Sequence, residues 1–304
     1  MATTLAAILA KDAVPLETLH ARYGALLELV RRLIGVVPNC DPYLEIWPPA
    51  FRTYNVLVPN FLNLPLSIWG VGLDPGLAGL AMYVSSRTAA CAYCSAHTCS
   101  FALRRGARRE RIERALDQDD PARSPAEQAA VAVARALSRV PSDVTSAQRA
   151  ELERQLGKPQ AEWLVASVAM MGFLNKFMDA IGVELEDAAV DDSEAIIAPS
   201  GWRIGQHGSH AAPASATPPR ADGIATKLGV VPYIPAALAF DRRATRGVPD
   251  DAAGARAMLR ELTGHDFPLL AEIGHGRIVR AITAMLRDNL DERASVVGLD
   301  AKLH

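Results

Sequence analysis

Apolar side chains in this chain recur at three- and four-residue intervals and do not alternate over the length of a strand. Leu164, Val168, Met171, Leu174 and Met178 fall on one face of a helix that opens at Pro159, reaches Ile181 and stops at Gly182. Side chains with a helical period face one way, so this face is expected to be buried. The flanking residues mark further helix ends. Asp74-Pro75 supplies a capping carboxylate and a proline at the first helical position, which predicts a helix to about Thr88. A second helix begins around Cys94 and ends near Arg104-Arg105-Gly106. There the arginines suit the negative end of the dipole and glycine suits the left-handed turn. A short charged helix follows from Arg108 to Leu116. Ser124-Pro125-Ala126-Glu127 is a capping box that opens a helix to about Val140, and another runs from near Thr145 to Gly157. The predicted fold class is all-α, a helical bundle with no βαβ unit.

The pattern breaks after residue 197. Residues 198–223 are rich in Gly, Pro, Ala, Ser and His and read as a linker or exposed excursion, in which His207 and His210 are expected to be solvated. Helical patterning resumes over 224–243, 251–262 and 267–290. The expected organisation is a helical domain over 1–197, the linker over 198–223 and a C-terminal helical unit over 224–304. Ile34-Gly35-Val36-Val37-Pro38 resembles Leu228-Gly229-Val230-Val231-Pro232, so the C-terminal unit is a candidate degenerate repeat. That unit contains no cysteine.

Composition narrows the classes. Half of the 304 residues are hydrophobic, enough for a large core, and 32 basic residues stand against 34 acidic ones. Such a balance recommends neither nucleic acid nor an acidic docking arm. The mildly apolar start lacks the basic region of a signal peptide, and no apolar run reaches the roughly 20 residues of a membrane span. A soluble, cytoplasmic protein is expected.

Three of the four cysteines fall within nine residues, in Cys91-Ala-Tyr-Cys94-Ser-Ala-His97-Thr98-Cys99. In a reducing compartment that crowding points to redox chemistry or metal binding. Cys91 and Cys94 are spaced so that a disulfide can close across one turn. A helix N-terminus lowers the pKa of a nearby thiol, and His97, three residues on, can carry its proton. A c-type haem site needs histidine directly after the second cysteine, where Ser95 stands. Four zinc ligands packed this tightly on one helix would not converge tetrahedrally. A thioredoxin-type site needs a βαβ setting. An inert reading, cysteines as small buried hydrophobes, explains a single cysteine better than a CxxC with histidine in register. Cys99 reads as a packed thiol, nothing marks Cys40 as reactive, and the arginines at 104, 105, 108, 109 and 111 read as a solvated helix-end surface.

The segment Cys91-Ala-Tyr-Cys94-Ser-Ala-His97-Thr98, followed by a helix ending in Arg-Gly, resembles the core motif of the alkylhydroperoxidase D / carboxymuconolactone decarboxylase family. Ser124 to Leu137 resembles that family's second helix. The stretch Gly172-Phe173-Leu174-Asn175-Lys176-Phe177-Met178-Asp179, with Gly182 and Glu184, resembles the closing helix of one subfamily. The likeness spans roughly residues 25–190. It implies an all-helical, oligomeric protein without a bound cofactor or metal, acting on a small molecule and reset by a dithiol donor or redox partner protein. In the peroxidase branch the second cysteine attacks the peroxide and the first resolves it, which would make Cys94 peroxidatic, Cys91 resolving and His97 a proton carrier. Two positions depart from the pattern. The family's acid, twelve residues before the first cysteine, is Gly79 here, and His97 stands one residue early. Glu127, Asp179 and Asn175 are the candidates for a replacement relay. Glu127 already serves a capping box, and Asn175 and Asp179 form either a polar spot in the site or a helix–helix hydrogen-bond pair. The reading is a thiol-dependent peroxidase or disulfide reductase. Its alternatives are a cofactor-free decarboxylase, isomerase or related biosynthetic enzyme, and a non-enzymatic redox sensor or partner-binding protein.

Overall fold

A computed structural model describes residues 3–208, 219 and 221–290. Among these there is no strand. The helices are α1 (Leu5–Leu9), α2 (Leu16–Ile34), α3 (Asp41–Leu44), α4 (Pro48–Phe61), α5 (Pro75–Thr88), α6 (Ala92–Arg104), α7 (Arg109–Glu113) and α8 (Pro125–Leu137). They continue with α9 (Ser146–Leu156), α10 (Lys158–Ile181), α11 (Asp187–Ile197), α12 (Ile224–Val230), α13 (Ile234–Ala244), α14 (Ala252–Thr263) and α15 (Gly276–Leu290). The caps read from sequence form. The Asp74 carboxylate accepts the Leu77 N–H at 2.7 Å, and Ser124 and Glu127 exchange both capping-box bonds. Gly182 ends α10 in the left-handed conformation at φ 68°.

Two expected helices are broken. Residues 224–243 form α12 and α13 around a 3-10 turn at Val231–Tyr233, where Pro232 and Pro235 interrupt regular winding. Residues 267–290 form a 3-10 turn at Pro268–Glu272 and then α15. The two echoing five-residue segments differ in backbone, since Gly35 caps α2 at φ 92° whereas Gly229 lies inside α12. By length and mean hydropathy α10 and the run 224–244 would each suffice to cross a bilayer, contrary to the reading from sequence. Half of the α10 window is buried in the protein, as befits a core helix, and Pro232 and Pro235 interrupt the second run.

The core is centred on α5, α6 and α10. Both α5 and α6 are buried nearly all round, as central helices must be, and each buried Leu or Val contributes about 1.5–3 kcal/mol. They pack closely because Gly79 of α5 faces Ala102 of α6, where a Cβ on residue 79 would lie 2.6 Å from Ala102 Cα. That contact explains the missing family acid, because no side chain fits at position 79. Helix α10 packs on α4, α5 and α6, α11 on α6, α15 on α4 and α13 on α2.

Residues 198–208 are a packed segment and not an exposed excursion. Trp202 is buried and its Nε1–H donates to the Ala92 carbonyl at 3.0 Å, while Arg87 donates to Ser200 Oγ and to its carbonyl. His207, expected to be solvated, is 1% exposed, and one ring nitrogen, Nδ1, lies 2.7 Å from the Val183 carbonyl. Its apolar faces pack where solvent was expected, and burial lowers its pKa against the opposing effect of that carbonyl. His210 lies outside the described residues.

Gly79→Ala tests the helix contact. Overpacking of this kind costs about 1–3 kcal/mol. The variant should melt several degrees below the parent, whereas an unchanged melting temperature would show that α5 and α6 can part freely.

Candidate functional site: a buried thiol pair on an apolar cavity

The thiols sit at a corner between the two central helices. Ala90 adopts a left-handed conformation, φ 57°, which turns the chain sharply after α5 and makes Cys91 the N-cap of α6. A non-glycine residue there stores about 1 kcal/mol or more of strain, the kind of cost found at positions the surrounding structure holds firmly. Cys91 Sγ accepts the Cys94 N–H at 3.3 Å. The Cys94 thiol and the backbone N–H groups of Cys94 and Tyr93 lower the Cys91 pKa against burial. Cys94 moves the other way. Burial first, and then the interaction with Cys91, pushes it well above the ordinary thiol value. Of the two thiols, Cys91 is therefore the more readily ionised.

A cavity of about 170 Å³ borders Cys94 but not Cys91. An engineered apolar cavity of about 150 Å³ holds benzene, so this one suits a molecule near the size of a substituted ring. Four methionines, at positions 82, 170, 171 and 178, line it with leucines from α2 and from the turn after α4. Cys94 is 4% and Cys91 0% exposed, so a reagent reaches the pair through the cavity.

His97 lies one turn beyond Cys94 and borders the same cavity. Its Nε2 is 2.7 Å from Glu186 Oε2, while Glu186 Oε1 accepts Tyr93 O–H at 2.8 Å and the Asn39 backbone N–H. Burial pushes the Glu186 pKa up, but His97 and Asn39 outweigh it and hold the group below the usual carboxylate value. Glu186 is thus the carboxylate that the structure sets against His97. The chain presents it from the turn just before α11 instead of from α5. It escaped the sequence reading, although Gly182 and Glu184 had marked the neighbourhood.

Other residues at this end were also missed. Cys40 lines the cavity, and Tyr54 and Tyr93 are buried beside it. Asp41 is buried with Oδ1 unpartnered, and burial, with the charges of Glu186 and Glu45, raises its pKa to about 8.

The three candidates for a replacement relay differ in their surroundings. Glu127 is held by Ser124 and pairs with Arg111 at 3.3 Å, so it does not join the thiols. Asp179 accepts from Gln206 Nε2 at 3.2 Å, and its charge disfavours thiolate at both Cys91 and Cys94. Asn175 is buried with neither amide atom partnered, so it makes no helix–helix hydrogen-bond pair. Cys99 is buried, as expected of a packed thiol. In the arginine cluster, Arg104 and Arg105 are bound to Asp192 and Asp222 and are not simply solvated. Among the described residues no group of three or more His, Cys, Asp or Glu could hold a metal ion.

Fold and site together define an all-helical protein whose CxxC pair caps a buried helix at the edge of an apolar cavity. Residues 63–136 match the model of the carboxymuconolactone decarboxylase family. No curated protein matches the chain. Among solved structures it is similar to the debrominase Bmp8 in its apo form, with 22% identity and a TM-score of 0.52 over 58% of this chain and 92% of that one. It is also similar to a cysteine-to-alanine variant of Bmp8 in complex with 2,3,4-tribromopyrrole, with 21% identity and a TM-score of 0.53 over 62% of this chain and 95% of that one. At such identities the likeness concerns the fold.

Two titrations test the electrostatics. Removing the Asp179 charge favours both thiolates, so Asp179→Asn should shift the pH midpoint of thiol alkylation downward. An upward shift would contradict the placement of that charge. Asp41 has a folded-state pKa of about 8 against 3.8 for an ordinary aspartate, so between these values the folded chain holds a proton that the unfolded chain has lost. Stability from this group therefore falls as pH rises through that window, by at most about 1.4 kcal/mol per pH unit. In urea melts Asp41→Asn should flatten this decline between pH 5 and pH 8, and an unchanged slope would contradict it.

Proposed function

We propose that the chain is a thiol-dependent reductase of a small apolar molecule, with a hydroperoxide as the favoured substrate. The observation that carries this reading is the placement of Cys94 on the cavity with Cys91 hydrogen-bonded to its backbone N–H. The proton shared by the pair moves from Cys94 to Cys91, leaving the thiolate that faces the cavity. Cys94 attacks the distal peroxide oxygen and the O–O bond breaks. The sulfur is oxidised to sulfenic acid, and the alkoxide leaves as an alcohol with a proton from His97. Cys91, deprotonated in turn, attacks the Cys94 sulfenic sulfur, releasing water and closing the Cys91–Cys94 disulfide. A dithiol donor then resets the pair by exchange. Glu186 holds the His97 ring in position for the proton transfer.

A second reading, reductive dehalogenation, is favoured by the ring-sized apolar cavity and by the fold shared with a debrominase. There the same dithiol would supply two electrons, converting a carbon–bromine bond and a proton to a carbon–hydrogen bond and bromide, with the disulfide again as product.

The test is a titration of reduced protein with cumene hydroperoxide, thiols mapped by mass spectrometry. One equivalent should produce the Cys91–Cys94 disulfide in the wild type and none in Cys94→Ser. Glu186→Gln should slow it about 100-fold, in the usual range for a lost acid–base partner. If no peroxide-dependent disulfide forms, the peroxidase reading fails. Bromide release from 2,3,4-tribromopyrrole with the same disulfide would then establish the second reading, and turnover by a Cys91/Cys94 double variant would establish acid–base chemistry.

A further inference from the structure

The far end of the cavity is polar, and residues outside the family segment build it. Asp241 of α13 and Arg277 of α15 line it together with Asn60 of α4. Asn60 Nδ2 donates to Asp241 Oδ1 at 2.7 Å, and Arg280 donates to Asp241 Oδ2 at 3.3 Å. Arg277 is committed, donating to Asn60 Oδ1 at 3.1 Å, Asn63 Oδ1 at 2.8 Å and the Leu64 carbonyl at 2.7 Å. A carboxylate has about four acceptor positions. Asp241 therefore keeps acceptor capacity in the cavity wall after these two bonds.

Helix geometry sets the distance from this end to the thiol. Tyr54 of α4 lies in the electrostatic range of Cys40 and Cys94, and Asn60 follows it by six residues on the same helix. On α6 the cavity runs from Cys94 to Phe101, seven residues on. At 1.5 Å per residue, α4 carries Asn60 about 9 Å beyond Tyr54, which puts the polar end about 10 Å from the reacting end. Charges of both signs meet there. Arg277 and Arg280 stand against Asp241, which disfavours a cationic group, and the spare acceptors of Asp241 disfavour an anionic one. A neutral donor satisfies both constraints.

We propose that Asp241 is a specificity-determining residue. It accepts a hydrogen bond from a neutral O–H or N–H group carried at one end of an apolar substrate, whose reacting atom lies about 10 Å away at Cys94. The assignment rests on the cavity being the substrate site, and it gives the C-terminal helices a role in choosing the substrate. A site that hydrogen-bonds such a group discriminates against analogues that lack it, because an apolar group against the half-buried carboxylate displaces water from its spare acceptor positions without replacing the hydrogen bond.

The test uses the reduced, full-length chain and two probes of one shape, 4-butylphenol and 4-butylanisole, with binding measured by calorimetry. The phenol should bind at least ten-fold more tightly. Asp241→Asn, checked for folding by its melting curve, should cut that preference to below three-fold and leave the anisole affinity within two-fold. Equal binding of the two probes overturns the proposal, as does failure of both to bind, or a preference that survives Asp241→Asn. If the variant does not fold, the wild-type comparison decides alone. Thiol mapping after cumene hydroperoxide is run in parallel. A Cys91–Cys94 disulfide without phenol preference sinks this proposal alone, whereas phenol preference without the disulfide sinks the peroxidase reading alone.

Discussion

One carboxylate organises the reacting end of this protein. Glu186 takes the Asn39 N–H from the turn before α3, the Tyr93 hydroxyl and the His97 ring from α6, and so ties three distant stretches of chain together. Burial alone would neutralise such a group, but its partners keep it below the usual carboxylate value. A carboxylate hydrogen-bonded to the imidazole fixes the ring's orientation. Without Glu186, His97 would border the cavity with only the Tyr93 ring packed against it.

The same site shows how a motif tolerates the loss of a family residue. Gly79 lets α5 and α6 approach until a Cβ would overlap Ala102, and this closeness leaves no room for an acid on α5. The tight contact and the displaced acid are consistent with each other. Packing excludes the side chain from one wall, and the turn before α11 delivers a carboxylate from another. The left-handed turn at Ala90 then sets Cys91 at the tip of α6 with Cys94 toward the cavity.

Local features were the legible ones. Asp74-Pro75, the Ser124–Glu127 box and Gly182 act within a few residues, so their helix ends could be read directly, as could the register of Cys91, Cys94 and His97. The remainder depends on tertiary packing. Glu186 is 89 residues from His97, and nothing local distinguishes it from Glu184. Cys40 enters the cavity wall only because α3 folds against α4. Asp241 and Arg277 come from a region with no motif at all. His207 was misjudged because its Gly/Pro-rich surroundings resemble solvated linker, whereas Trp202 and Ser200 dock that stretch on α5 and α6.

The central claim is that Cys94 meets the substrate and Cys91 serves it from behind. It is tested most directly in a Cys91→Ala variant treated with one equivalent of cumene hydroperoxide in the presence of dimedone, a sulfenic acid trap, with the adduct located by peptide mapping. The account predicts a single adduct on Cys94. An adduct on Cys40 or Cys99 in its place, or no adduct while Cys94→Ala still traps dimedone at Cys91, would contradict it.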